Sequence, residues 1–393
     1  MQPGDLFRNP ELASTFDTVG SLGAREGFYK GRIAQAIVAV VADFGGVLSL
    51  EDLADHETAF EAPVSAVYRG VRLYETPPPT HGVAALQALL LMDKVKGSRS
   101  DGLSVEELRA RRGGADEAHL GIECMRLAFC DALKYCCDPR FRDVPLDVLL
   151  SDEYIRKRAL EISSDVSNSA IDAGDISAFT TSSDTVYFAC VDPFGNACSM
   201  INSNYQGFGV GIVPEGCGFT LQNRGFNFSL EPGHANSAGP RKKPYHTIIP
   251  GLAVRESDKS FFCTFGNMGG FMQPQGHAQI MRNLIEFKMD PQAAVDAPKW
   301  FVCGAGTRQD PSDMRRSVVK IEEGYGGESD GGGGGAEELA RQLRARGHDV
   351  LPIVKGYDRH IYGRGQIILR DPASGVLAAG SDPRADGCAM PLV

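Results

Sequence analysis

The sequence lacks several patterns that would assign the protein to a large class at once. It has no run of about 18 consecutive apolar residues, so no membrane-spanning helix is expected. Its first residues offer neither the basic flank nor the apolar stretch of a signal peptide. The 10 cysteines include no CxxC pair, so we predict no cysteine-based metal site and expect most of them in the core.

The sequence also lacks an excess of positive charge. Its formal net charge is -10 and its pI is about 5.4, whereas a nucleic-acid-binding protein needs a basic face for the phosphates. We therefore expect no nucleic-acid partner. The composition, 42% hydrophobic and 23% charged, is typical of a soluble globular protein, and 393 residues suffice for one large α/β body or for two or three domains.

The character of the sequence changes near the middle of the chain. Residues 1–184 are predicted to be mainly helical, with a capping box at Ser49, a hairpin turn at Arg69-Gly70 and a long helix from about His119 to Cys136. Residues 185–393 are predicted to be rich in strands and glycine turns. The main boundary is therefore predicted between Asp184 and Thr185.

Thr185 opens a predicted strand, turn and strand. The polar stretch before it, Ser177 to Ser183, is typical of a loop open to cleavage. If the bond before Thr185 breaks, this residue gains a free amine with a pKa of about 7.7–8.0, which can accept the proton of its own hydroxyl near neutral pH. We prefer Thr185 as the nucleophile because the start of a strand holds a side chain more firmly than a loop does. The alternatives in the preceding loop are Thr180, Thr181, Ser182 and Ser183.

A threonine at a strand edge is also an ordinary β-former, so this interpretation depends on its neighbours. The second strand is expected over Ala197 to Ile201, followed by a glycine-rich loop, and Ser203 could orient Thr185 if the two strands pair. The stretch Gly266 to Gly270 offers backbone N–H groups with little side-chain obstruction. It suits an oxyanion hole, although taken alone a stretch of this kind is more often a plain tight turn.

Taken together, these features resemble the γ-glutamyltransferase family, whose members are N-terminal-nucleophile hydrolases that cleave themselves into a large and a small subunit. The resemblance covers residues 3–393, and it depends on the order and spacing of several motifs because no single one is decisive. These motifs are Gly4-Asp5, Gly46 to Leu53, Pro77 to Gly82, Glu123 to Asp131 with Asp138-Pro139, the Thr185 strand, Gly207 to Gly209, Gly269-Gly270 and Ser381 to Arg384.

The resemblance implies an α/β fold, the αββα sandwich of N-terminal-nucleophile hydrolases, and a zymogen that processes itself. It implies that Thr185 is the nucleophile of self-cleavage and of catalysis, with Ser203 beside its amine and Gly269 and Gly270 as the oxyanion hole. The acyl group of a small-molecule γ-glutamyl donor such as glutathione, or of a related acyl amide, would pass through Thr185 to water or to an amino-acid or peptide amine. The two subunits would associate after cleavage, and no metal or organic cofactor is implied.

Five residues are candidates for substrate binding, and several depart from the family pattern. Asn227 stands where typical members carry an acid that pairs with the α-ammonium of the donor. His246 and Thr247 stand where the family usually has two serines near the donor carboxylate, and Tyr205 replaces a usual asparagine. Arg224 and His246 could still bind a carboxylate, although lone basic residues in loops are more often structural. The departures point to the acylase-like branch, whose donors can lack the amine, as glutaryl amides do.

Family members normally carry a long stretch ahead of the segment that begins here at Met1. That stretch contributes core strands and the arginine that holds the donor carboxylate, so the resemblance implies an N-terminally truncated large subunit, 1–184, and a complete small subunit, 185–393. One hypothesis is a self-processing enzyme; the other is a truncated, unprocessed homologue without catalysis. A serine or cysteine hydrolase is a weaker alternative, since no cysteine lies in a recognisable nucleophile elbow.

Overall fold

The chain folds into two compact units, each built from separate segments. The computed structural model describes residue 2 and residues 4–95, 104, 106–107, 111–171, 184–304, 317–326 and 334–391. The first unit combines Met1–Glu61 with Asn204–Arg224, and the second combines Ala62–Ser203 with Gly225–Val393. The predicted division between Asp184 and Thr185 concerns a cleavage position and stays a prediction, and the predicted cleavage loop lies outside the described residues.

The first unit is helical. Helices α1 (Pro10–Gly27), α2 (Gly31–Asp43) and α3 (Leu50–Ala54) follow one another. The capping box predicted at Ser49 is present, since its side chain accepts from the Asp52 N–H and the Asp52 carboxylate accepts in return. A small core forms around Ile33, Ile37 and Cys217, so the segment that follows the second half of the hairpin packs against α2.

The second unit is organised by a six-stranded antiparallel sheet. Its order is β1-β2-β5-β6-β10-β11, and the strands are β1 (Val64–Tyr68), β2 (Val71–Glu75), β5 (Gly251–Arg255), β6 (Phe261–Met268), β10 (Arg364–Arg370) and β11 (Leu377–Ser381). The hairpin predicted at Arg69-Gly70 is present, because both residues have positive φ, 48° and 79°, which matches the twist of a tight two-residue turn.

Helices cover one face of this sheet. Helix α4 (Gly82–Lys94) packs on β1 and on the long α5 (Ala115–Tyr135), the helix expected from about His119. The helices α8 (Met272–Ile285) and α9 (Pro291–Asp296) pack on β6 and on β10 and β11. These contacts place the main apolar core between the sheet and the helices, with Phe129, Phe265 and Trp300 fully buried.

The other face of the sheet carries the hairpin of β3 (Asp184–Val191) and β4 (Ala197–Tyr205). Strand β3 lies against β6 and β10, so two sheets stack and the helices lie outside the larger one. Strand β4 extends to Tyr205, so the expectation that it ends at Ile201 is wrong. Continued cross-strand pairing holds the polar stretch after Ile201 in the strand, and this brings Ser203 into the hairpin.

The remaining elements flank this sandwich. They are the helices α6 (Leu146–Leu149), α7 (Asp152–Ala159) and α10 (Gly334–Ala345) and the strands β7 (Trp300–Gly304), β8 (Ser317–Ile321) and β9 (Asp349–Val350), which form a three-stranded sheet. No helix in the described parts of the chain is long and apolar enough to cross a membrane.

Candidate active site

The turn of the β3–β4 hairpin determines which residues face each other across it. Asp192 N–H donates to the Asn196 carbonyl at 2.9 Å and Gly195 N–H donates to the Asp192 carbonyl at 3.0 Å, with Gly195 at φ 88°. This is a three-residue loop with a glycine bulge. Counting back along both strands from the Asp192 and Asn196 pair places Thr185 directly opposite Ser203.

The structure therefore brings the first two candidate residues together. The distance between Thr185 Oγ1 and Ser203 Oγ is 2.8 Å, a hydrogen bond in which either hydroxyl can donate. Thr185 is 2% exposed. Its side chain lies on the inner face of the hairpin, since burial alternates along β3 and the next residue, Val186, is 59% exposed.

Tyr187 anchors the hairpin to the larger sheet. It lies on the same face of β3 as Thr185, and its ring covers Gly266 of β6, where any Cβ would collide with the ring. Its hydroxyl pairs with Ser199 Oγ at 2.9 Å, and Ser199 in turn donates to the Gly251 carbonyl at 2.8 Å. Burial raises the pKa of Tyr187 above its usual value, so this hydroxyl stays neutral.

Gly269 and Gly270 connect the end of β6 to the start of α8. Their φ angles are 134° and 57°, a conformation that suits glycine. Their carbonyl groups accept from the N–H groups of Met272 and Gln273 at 3.0 and 3.1 Å, in the first turn of the helix. The glycine pair thus lies at the positive end of a 14-residue helix dipole, where developing negative charge is stabilised.

The loop that carries His246 and Thr247 packs beside this glycine pair. Phe271, the residue after Gly270, stacks on Tyr245 with ring centroids 5.9 Å apart, and the His81 ring meets both aromatic rings edge-on. Sequence reasoning did not select His81, Tyr245 or Phe271. His81 lies within the Pro77 to Gly82 motif, and Tyr245 and Phe271 each adjoin a candidate residue. Only the fold shows that these three side chains join the glycine turn to the loop.

His246 and Thr247 are positioned through their backbones. His246 N–H donates to the Pro79 carbonyl at 2.9 Å and the His246 carbonyl accepts from the His81 N–H at 3.1 Å. The Thr247 carbonyl lies 3.0 Å from His81 Nε2, and Thr247 is 1% exposed. Hydrogen bonds to Pro79 and His81 therefore fix the position of this loop. The roles predicted for the two side chains stay predictions.

Asn227 belongs to the same assembly. Its Nδ2 donates to the backbone carbonyl of Tyr245 at 3.0 Å, and its backbone carbonyl accepts from Asn236 Nδ2 at 2.6 Å. Asn236 Oδ1 accepts from the Tyr245 N–H at 2.8 Å and closes the network. An aspartate at position 227 could not donate to the Tyr245 carbonyl. The amide is thus part of the local structure as well as a departure from the family pattern.

Tyr205 and Arg224 come together in the first unit. The Arg224 guanidinium lies over the Tyr205 ring at 4.8 Å, a cation–π contact between two residues that are 4% and 2% exposed. Burial lowers the pKa of Arg224 to about 10 and raises the pKa of Tyr205 to about 12. Tyr205 also has a φ of 78°, a strained value for a residue with a side chain. Their predicted contacts with substrate stay predictions.

The stacked sheets, with helices outside the larger one and a buried threonine at the start of a strand, define the fold of N-terminal-nucleophile hydrolases. This agrees with the predicted α/β sandwich. The family model described as "Gamma-glutamyltranspeptidase" matches residues 1–392. The chain therefore belongs to the γ-glutamyltranspeptidase family, as the sequence motifs indicated.

Individual relatives support this assignment. The chain is 31% identical over 388 residues to "Glutathione hydrolase-like YwrD proenzyme" of Bacillus subtilis, and equally to "Oxamate amidohydrolase proenzyme" of Klebsiella pneumoniae. Each alignment covers 99% of this chain and 66% of the relative. The crystal structure of cephalosporin acylase from Bacillus halodurans superimposes with a TM-score of 0.79 at 37% identity, covering 98% of this chain and 63% of that one. The chain thus spans just under two thirds of the length of these relatives.

Proposed function

We propose that this protein is a self-processing threonine hydrolase or acyltransferase that cleaves a γ-glutamyl amide such as glutathione or a related acyl amide such as a glutaryl amide. The chain breaks between Asp184 and Thr185. The freed Thr185 amine then takes the proton of its own hydroxyl, whose oxygen attacks the amide carbonyl. The C–N bond of the donor breaks, its amine leaves with that proton, and the acyl group stays on Thr185 Oγ1 as an ester. Water or an amine acceptor releases the acyl group from Thr185.

The observation that carries this proposal is the 2.8 Å hydrogen bond between the hydroxyls of the buried Thr185 and the half-buried Ser203. A paired serine orients the threonine Oγ1, and it can pass a proton during attack. The glycine pair at the start of α8 offers N–H groups for the oxyanion. The names of the relatives support the same class, since both curated relatives are described as proenzymes, one a glutathione hydrolase-like protein and the other an amidohydrolase.

The test of the nucleophile is self-cleavage. We expect the expressed chain to yield two fragments, the smaller beginning with Thr185 by N-terminal sequencing. Thr185→Ala should remain one intact band, whereas Thr181→Ala, a matched control four residues earlier, should be cleaved normally. A wild-type chain that stays intact and hydrolyses no amide would instead favour the alternative, a non-catalytic homologue.

The identity of the acyl donor also forms part of the proposal. Because Asn227 is neutral and its Nδ2 is bonded to the Tyr245 carbonyl, it offers no ion pair to an α-ammonium group. We expect kcat/KM for a glutaryl anilide to equal or exceed that for the γ-glutamyl anilide. A clear preference for the γ-glutamyl compound would contradict the acylase-like assignment while leaving the nucleophile untouched.

A further inference from the structure

Asn267 is a buried polar residue next to the proposed oxyanion hole that the mechanism above does not use. It is the penultimate residue of β6 and is 0% exposed. Gly266 faces the hairpin, where it carries the Tyr187 ring. Since neighbouring residues of a strand point to opposite faces, Asn267 points to the helix face of the sheet.

The surroundings are shaped to hold the Asn267 side chain. A Cβ added at Gly276 of α8 or at Gly363 before β10 would collide with its amide nitrogen. Gly363 has a φ of 79°, and its Cβ would also collide with the Met268 carbonyl oxygen. Glycine on two different elements therefore leaves room for one amide group and fixes its position.

Two carbonyl groups fix the orientation of this amide. Asn267 Nδ2 lies 3.3 Å from the Met268 carbonyl oxygen and 3.2 Å from the Tyr362 carbonyl oxygen. Both partners can only accept, so the NH₂ group and not Oδ1 must face them. The Met268 carbonyl is thereby held against the segment that leads into β10, where Tyr362 and Gly363 lie.

The direction of the Met268 carbonyl determines the direction of the Gly269 N–H. The two groups belong to one planar trans peptide, so they point to opposite sides of it. With the carbonyl held toward Gly363 and β10, the Gly269 N–H is directed away from β10.

We infer that Asn267 is a positioning residue that fixes the orientation of the Met268–Gly269 peptide, whose N–H is one of the proposed oxyanion donors, an inference that rests on the proposed function. It acts through this peptide and does not touch the substrate. The orientation is present before substrate binds, so no reorganisation is needed when negative charge develops on the carbonyl oxygen of the donor.

The experiment compares two buried asparagines, Asn267 of β6 and Asn283 near the end of α8. Asn283 also donates through Nδ2 to a backbone carbonyl, that of Ala294, at 3.1 Å, and is 5% exposed. Asn267→Asp and Asn283→Asp each remove the donor without changing side-chain size. Asn267→Ala and Asn283→Ala remove it without adding a charge, so the comparison survives if one aspartate variant fails to fold.

We expect the Asn267 variants to lower kcat for anilide hydrolysis by about 10- to 100-fold with little change in KM, because a misaligned oxyanion donor weakens binding of the transition state only. The Asn283 variants should keep the wild-type kcat, even where they lose as much stability as the Asn267 variants or more. Equal kcat losses in both pairs, or an unchanged kcat in the Asn267 pair, would overturn the inference.

Amide hydrogen exchange separates this inference from the proposed function. We expect exchange to accelerate in peptides covering 268–273 for Asn267→Ala and not for Asn283→Ala. If the wild-type chain proved inactive while this difference appeared, the proposed function would fail and the positioning of the peptide would stand. If no difference appeared, the positioning itself would be refuted, whatever the activity.

Discussion

The candidate active site in the second unit has two halves that are built differently. The strand half consists of Thr185, Ser203, Gly269 and Gly270, which lie at strand ends and at the start of a helix. The loop half consists of Asn227, at the end of a short 3-10 helix (Arg224–Asn227), and of His246 and Thr247 in a loop, and hydrogen bonds that involve backbone carbonyls hold all three. The strand half therefore depends on sheet register and backbone conformation, whereas the loop half depends on individual side-chain and loop contacts.

This difference indicates which half of the site can accept substitutions. We expect few substitutions to be tolerated in the hydroxyl pair of the hairpin or in the glycine pair at the start of α8, because backbone conformation sets the geometry of both pairs. The loop half places an amide, an imidazole and a hydroxyl where the family usually has an acid and two serines. Under the proposed function, we expect such exchanges to alter which donor is bound without disturbing the nucleophile. The contrast can be tested by substitutions in each half.

The largest effect is expected in the strand half. Gly269 has a φ of 134°, and an added Cβ would lie 3.1 Å from Met272 Cβ and 3.3 Å from Gly363 Cα. Gly269→Ala should therefore rotate the Met268–Gly269 peptide and lower kcat by about 100-fold or more. Steady-state kinetics on an anilide substrate measures this effect.

Gly375→Ala is the matched control for this substitution. Gly375 has a φ of 72° in the turn between β10 and β11, and only the end of the Arg370 side chain lies near its Cβ position. This variant should lose about 1 kcal/mol of stability through backbone strain and keep its kcat. An active Gly269→Ala enzyme would show that the strand half does not depend on this backbone conformation.

A smaller effect is expected in the loop half from Asn227→Asp. Restoring the acid that the family usually carries removes the donor to the Tyr245 carbonyl and places two acceptors face to face. We expect a loss of about 1–3 kcal/mol in the free energy of unfolding, measured by urea titration, and a change in KM larger than that in kcat. A variant of unchanged stability with improved γ-glutamyl hydrolysis would mean that the loop half is not held by this amide.

The smallest effect is a loss of stability at acid pH, and we expect it to come from a histidine pair outside both halves. His119 Nδ1 lies 2.7 Å from His348 Nε2, and His119 Nε2 lies 2.9 Å from the Ser163 carbonyl. Burial, with the nearby charges of Arg126 and Arg346, lowers the pKa of His348 to about 3, and burial also lowers the pKa of His119. The charged groups Asp116 and Glu123 of α5 act on His119 in the opposite sense.

The sign of the acid effect follows from proton uptake. An unfolded histidine has a pKa of about 6.5, so between about pH 6.5 and 3 the unfolded chain binds protons that folded His348 does not. Its contribution is complete above pH 6.5 and is lost as pH falls, with a slope of at most about 1.4 kcal/mol per pH unit. Urea titrations at pH 7 and pH 5 should show a shallower slope for His348→Gln, but not for the exposed His360→Gln. Equal slopes in all three proteins would exclude this histidine pair as the cause.

Much of the local structure could be predicted from the sequence. The capping box at Ser49, the turn at Arg69-Gly70 and the long helix near His119 follow from short-range rules, since caps, positive φ and helical periodicity depend on neighbouring residues. The end of β4 could not be predicted this way. Local composition favours a loop after Ile201, but pairing with β3 continues past Ile201 and keeps Ser203 in the strand.

The sequence by itself determined the family, the candidate nucleophile and the glycine pair, because motif order and residue type are properties of the chain alone. The tertiary structure decided which of these groups meet. It placed Ser203 beside Thr185 through the hairpin turn, used the Asn227 amide to hold Tyr245, and put Asn267 where it orients the peptide before Gly269. Most of these contacts join residues that are not neighbours in sequence, as Asn267 and Tyr362 do, and their geometry arises only when sheets and helices pack.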